Sequence, residues 1–133
     1  MANPLINEGP VPFFVHGVLE YIAGVAFIAA PLVLDYDAGA AVAISIVVGI
    51  VVLLIAATTE GPTSLVNGLA LSVHVVLDYV LALFLIATPF LFGFGGETAP
   101  TAFFIGLGVA HLLLTIGTRF SSSTAESSTP ESL

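Results

Sequence analysis

The sequence predicts an all-α membrane protein of four transmembrane helices, formed by two tandem, parallel-oriented helical hairpin repeats. Three observations predict it. Apolar residues make up 58 % of the 133-residue chain and charged residues 8 %, where a soluble chain is about 25 % charged. Four apolar segments each reach the roughly 20 residues that a spanning helix needs. A motif of histidine, acid and tyrosine occurs twice in register.

The segments run from about Pro12 to Leu34, Ala38 to Thr59, Leu65 to Phe92 and Ala99 to Phe120. β-branched residues crowd Ile44 to Ile55, but in lipid every backbone polar group must be bonded within its own segment, so helix remains the expectation. Residues 1–11, with Pro4, Gly9 and Pro10, read as an irregular or interfacial lead. Residues 12–60 form the first two-helix repeat and 61–120 the second. Asp35-Tyr36-Asp37 breaks the first repeat, and Asp37 is positioned to cap the next helix. Glu60 to Ser64 separates the repeats, with Thr63 or Ser64 as the expected cap. Gly93 to Pro100 breaks the second repeat, and Pro100 falls where a first helical turn tolerates proline. Residues 121–133 are Ser, Thr, Glu and Pro with little to bury, and are expected to be disordered.

No cationic stretch precedes the first apolar segment, so that span is expected to serve as its own insertion signal rather than as a cleaved leader. Four spans put both termini on one side, and Arg119 beside the last span assigns that side to the cytoplasm by the positive-inside rule. The formal charge is −8, from nine acids and a single basic residue. Such a surface excludes nucleic acid as a partner, and its composition is halophile-like. There is no cysteine, which removes disulfides, thiolate catalysis and cysteine-bound metals.

His16-Gly-Val-Leu-Glu20-Tyr21 returns as His74-Val-Val-Leu-Asp78-Tyr79, 58 residues later. Phe27 to Pro31 matches Leu85 to Pro89 at the same spacing. A hydrophobic background does not generate His, acid, Tyr and Pro in register, so duplication is the explanation. In the second helix of each repeat the match reads best at 61, aligning Ala41, Ser45 and Gly49 with Ala102, Gly106 and Ala110. These small residues recur every four positions and predict close helix packing, either inside the bundle or on a homo-oligomer face. Because each copy contributes two spans, the copies share one orientation. His16 and His74 should then lie at one depth, as should Glu20 and Asp78.

Each first helix ends on a small residue, a proline and a large apolar residue: Ala30-Pro31-Leu32 and Thr88-Pro89-Phe90. Over roughly residues 13 to 120 this pattern resembles the SPW-repeat family of small prokaryotic membrane proteins, named for Ser-Pro-Trp at that position. The chain has no Trp and no Ser before either proline. The resemblance implies the topology and no particular chemistry. Physically, Pro31 and Pro89 lack a donor and should kink or end their helices near residues 30 and 88.

Glu20 and Asp78 are the residues to explain, because an intramembrane carboxylate costs about 2.5–3.5 kcal/mol. His16 and His74 each precede an acid by one helical turn and share its face. Three readings follow from these pairs: a polar lock that fixes helix register, a proton or cation site, or a site for haem or a transition metal at His16 and His74. His111 is a third membrane histidine without a repeat counterpart, Ile50 being aligned with it. No nucleophile has a paired base and no phosphate loop exists, so no enzymatic activity and no cofactor are expected. The expected role is structural or accessory, as a bundle packing with another membrane protein or with itself.

Overall fold

The computed structural model describes residues 9–120; the interfacial lead up to residue 8 and the tail from 121 lie outside the described residues. Four helices follow in order: α1 (Phe13–Val33), α2 (Gly39–Thr58), α3 (Leu71–Leu91) and α4 (Thr98–Gly117). All four are long and apolar enough to cross a membrane, and the chain is a multi-pass membrane protein. Two short strands frame them, β1 (Val11–Pro12) before α1 and β2 (Thr118–Arg119) after α4, paired in parallel. An isolated parallel bridge between Thr59 and Leu69 is the repeat image of that pairing. In both cases the residue that follows one hairpin pairs with the residue that precedes the other.

Pro31 and Pro89 sit inside α1 and α3, two residues before the last. Their missing donors fall where the helix is about to stop. Each helix then leaves through a left-handed residue, Asp35 (φ 53) and Gly93 (φ 74). Tyr36 and Phe94, one position further on, donate their backbone N–H to the carbonyls of Pro31 and Pro89 at 3.0 and 2.9 Å. This is the glycine-type helix stop, made once with Gly and once with Asp.

The expected caps differ from those found. α2 begins at Gly39, and Asp37 makes no side-chain cap. The Glu97 carboxylate instead accepts the N–H groups of Asp37 (2.7 Å) and Ala38 (2.9 Å) from across the repeat boundary. α3 begins at Leu71 rather than Leu65, because the bridge at Leu69 and the turns around Ser64 to Gly68 use that stretch, so neither Thr63 nor Ser64 caps it. Tyr21 instead donates its hydroxyl to the Thr63 carbonyl at 2.8 Å, fastening this connection to α1.

The two stripes of small residues lie differently. Ala41, Ser45 and Gly49 are buried, but Ala102, Gly106 and Ala110 are exposed. The α4 face that packs inward carries Pro100, Phe104, Gly108 and Thr115. The second helices therefore align at a spacing of 59, with Gly49 opposite Gly108 and Thr59 opposite Thr118. In this register Val52, not Ile50, is the counterpart of His111. Gly49 lies against the Gly24 carbonyl and Gly108 against that of Ala82, so each hairpin closes on a backbone contact that only small residues permit.

Two apolar clusters stabilise the bundle. The larger, around Phe27, Val48, Val52, Leu85, Phe94 and Phe104, fills the end where the hairpins turn. The smaller, Phe13, Val75 and Phe120, lies at the end bearing β1 and β2. The polar residues lie between them.

Candidate functional site

His16, Glu20, His74 and Asp78 are all buried, none more than 3 % exposed. Helical spacing places each histidine one turn from its acid, and side-chain contacts between α1 and α3 join the two pairs into one cluster. His16 Nε2 lies 2.6 Å from Glu20 Oε1 and 3.1 Å from Asp78 Oδ2. His74 Nε2 lies 2.9 Å from Glu20 Oε1 and 3.0 Å from Asp78 Oδ2. Each imidazole thus touches the acid of its own repeat and the acid of the other. One potential ligand atom from each of the four residues falls within 4.8 Å of all the others.

The far nitrogens of both rings are held by threonines. His16 Nδ1 lies 2.7 Å from Thr118 Oγ1, and His74 Nδ1 lies 2.6 Å from Thr59 Oγ1. Each threonine hydroxyl donates its one hydrogen to a carbonyl four residues back, Leu114 and Ile55 respectively. The threonine oxygen is therefore an acceptor toward histidine, and Nδ1 must carry the proton. With Nδ1 so engaged, Nε2 is the atom each ring presents to the cluster, a bare lone pair in the neutral imidazole and a donor in the imidazolium.

The contacts do not all behave as hydrogen bonds. Glu20 Oε1 is bonded to both Nε2 atoms. Asp78 Oδ2, though within 3.1 Å of both, has no hydrogen-bond partner among the described residues. On the other side of this carboxylate, His111 Nε2 stands 3.3 Å from Oδ1, also outside hydrogen-bond geometry. The two imidazole nitrogens thus make four contacts to carboxylate oxygen, of which the two to Asp78 fall outside hydrogen-bond geometry.

The surroundings are aromatic on the β1–β2 side. The Phe120 ring packs edge-on to His16 at 5.0 Å between centroids and to Phe13 at 5.4 Å. Phe13 reaches both His16 and His74, each at 6.4 Å.

The sequence points to all four residues of the cluster. It does not point to Thr59, Thr118 or the part taken by His111. The threonines do recur as the residues that follow α2 and α4, a signal visible only at the spacing of 59. Pro31 and Pro89 stand at the opposite end of the bundle, and Ala102, Gly106 and Ala110 on its outer surface, so neither set touches the cluster.

A family model described as SPW repeat domain matches residues 14–118, from the second residue of α1 to the threonine that follows α4. No curated protein and no solved structure matches the chain.

Proposed function

The chain belongs to the SPW repeat family, and from that premise we propose that it is a small membrane protein that holds one divalent transition-metal ion between His16, Glu20, His74 and Asp78. The observation that carries this reading is Asp78 Oδ2, buried and within 3.1 Å of two imidazole nitrogens without a hydrogen bond from either. A metal at the centre supplies the missing partner. Tetrahedral sites with bonds of about 2.0–2.1 Å set neighbouring ligands roughly 3.3 Å apart; the ligand atoms here all lie within 4.8 Å of one another, and the His16–Glu20 pair at 2.6 Å would spread around an ion. Two imidazole nitrogens and two carboxylates suit zinc, iron(II), cobalt or manganese. Thr59 and Thr118 are the outer partners that fix the tautomer and aim the rings.

Charge supports the same reading. Two carboxylates and one divalent ion sum to zero, as do two carboxylates and two imidazolium rings. The bundle can stay neutral in lipid either way, so ion and protons are alternative occupants. The carboxylate oxygens in contact with both Nε2 atoms favour an ion over a haem, whose macrocycle would need that space. The residues support a bound centre and not a hydrolytic one, so no enzymatic activity is assigned. The pairing of β1 with β2 supports termini on one side, and Arg119 supports the cytoplasm as that side.

The test is metal analysis of protein purified in mild detergent, with cobalt(II) titration followed by visible absorption. One ion per chain and a tetrahedral cobalt spectrum are expected, both lost in Asp78→Asn and in His16→Ala with His74→Ala. A folded protein that takes up no ion overturns the reading and leaves the cluster as a polar lock between repeats.

A second reading has its own observation. Ala102, Gly106 and Ala110 form an exposed smooth face on α4, and a methyl added at Gly106 would meet nothing within 4 Å. Such a face supports an accessory role in which α4 packs on another membrane protein or on a second copy. Size measurement of the wild type against Gly106→Leu tests it, with unchanged assembly as the contrary result.

A further inference from the structure

The repeat symmetry is broken at one place. Between α1 and α4 runs a groove of about 510 Å³, open toward lipid, with Glu20 and His111 in its floor. Its repeat image between α3 and α2 measures about 280 Å³ and is lined by apolar residues throughout. Three exchanges account for the difference. Ala23 and Ala26 stand where the other repeat has Leu81 and Phe84, and His111 stands where it has Val52. Two remove bulk from one groove and the third gives that groove a polar floor.

We propose that this groove binds a membrane-dissolved isoprenoid quinol, its ring hydroxyl at His111 and Glu20 and its chain running out past Ile22 and Leu113. Three features select this occupant. The His111 ring and the Glu20 carboxylate are the polar side chains that line the groove, and an imidazole with a carboxylate suits a hydroxyl that can both accept and donate. The two carboxylates and the formal charge of −8 disfavour an anionic head such as a fatty acid or phospholipid. Glu20 lies seven residues into α1, about 10 Å along the helix at 1.5 Å per residue. That depth is below the level of anchored headgroups, and a quinol ring is free to reach it through hydrocarbon. The volume is in the range of small-molecule sites, roughly 300–1,000 Å³. The inference stands on the groove and does not need the proposed ion.

The experiment uses the full chain in nanodiscs, with Leu113→Trp as a reporter in a protein that has no native tryptophan. A short-chain alkyl benzoquinol is titrated, with an alkane of equal length and oleate as controls. Saturable quinol binding is expected, weakened at least about tenfold in His111→Val, as loss of a buried hydrogen-bond partner implies. Ala23→Leu with Ala26→Phe should abolish it. The converse variant, Val52→His with Leu81→Ala and Phe84→Ala, should create a second site and double the stoichiometry. Equal binding of alkane or oleate, or indifference to both sets of exchanges, overturns the proposal. Metal content is measured on the same samples, so that quinol binding without an ion sinks only the metal reading.

Discussion

His74 Nδ1 lies 2.6 Å from Thr59 Oγ1, a residue at the end of the other repeat's second helix. The same bond, with repeats exchanged, joins His16 to Thr118 at 2.7 Å. Each histidine is thus presented to the cluster by the hairpin it does not belong to. Replacing Thr59 or Thr118 by Val keeps the side-chain shape and removes the acceptor. Outer-shell changes of this kind cost about 10–100-fold in metal affinity. Either single variant should fall in that range by competition with a chelator, and helicity by circular dichroism should hold. Unchanged affinity in both variants would mean that the threonines do not aim the rings.

Tyr36 and Phe94 are repeat counterparts that fill the same corner of the apolar core. Only Tyr36 carries a hydroxyl, and that hydroxyl is buried without a hydrogen-bond partner among the described residues. Burial, with the Glu97 carboxylate nearby, pushes its pKa up to about 12. Tyr36→Phe removes an unsatisfied polar group and should leave melting unchanged or raise it, the direction expected when a buried orphan is deleted. A raised pKa means that the folded state keeps a proton the unfolded chain gives up. The contribution is whole below the unfolded value, near 10, and is lost as pH rises toward about 12. Wild type should therefore lose melting temperature over that alkaline window more than Tyr36→Phe does. Parallel alkaline profiles would show that the phenol is in contact with water.

Much of this arrangement is legible in the sequence. Intramembrane acids are costly enough to stand out, and His16–Glu20 and His74–Asp78 repeat at an integral helical spacing, so their depth and shared face follow directly. Their meeting in one cluster depends on how α1 crosses α3, which no periodicity encodes. The α2–α4 register is ambiguous in the sequence because Ala and Gly are frequent in every apolar helix. A stripe of small residues matches another at several offsets, and the contacts of Thr59 and Thr118 with the histidines are what single out one. Caps supplied from a distance, as Glu97 does for α2, leave no local signature at all.

Glu97 ties the two hairpin tips together. Its carboxylate accepts two backbone N–H groups at the start of α2, donors that would otherwise have no intrahelical partner. An anion there also complements the positive end of the helix. Glu97→Ala should cost about 1 kcal/mol, the usual loss for a cap, seen as a lower melting temperature. Asp37→Ala, by contrast, should have little effect on capping, since its side chain plays no part in it. The reverse ranking would restore the local cap expected from the sequence.

Gly49 and Gly106 decide between the two repeat registers. A methyl at position 49 would stand 2.5 Å from the Gly24 carbonyl oxygen, which belongs to backbone and cannot turn aside. At position 106 it would meet nothing within 4 Å. Gly49→Ala should therefore force α1 and α2 apart, at the roughly 1–3 kcal/mol typical of overpacking. Gly106→Ala should be neutral, or stabilising by up to about 1 kcal/mol through helix propensity. Thermal melts of the two variants in one detergent supply the comparison. If Gly106→Ala is the damaging change in a protein that runs as a monomer, α4 presents its Ala102–Ala110 stripe to α3, and the spacing of 59 is wrong.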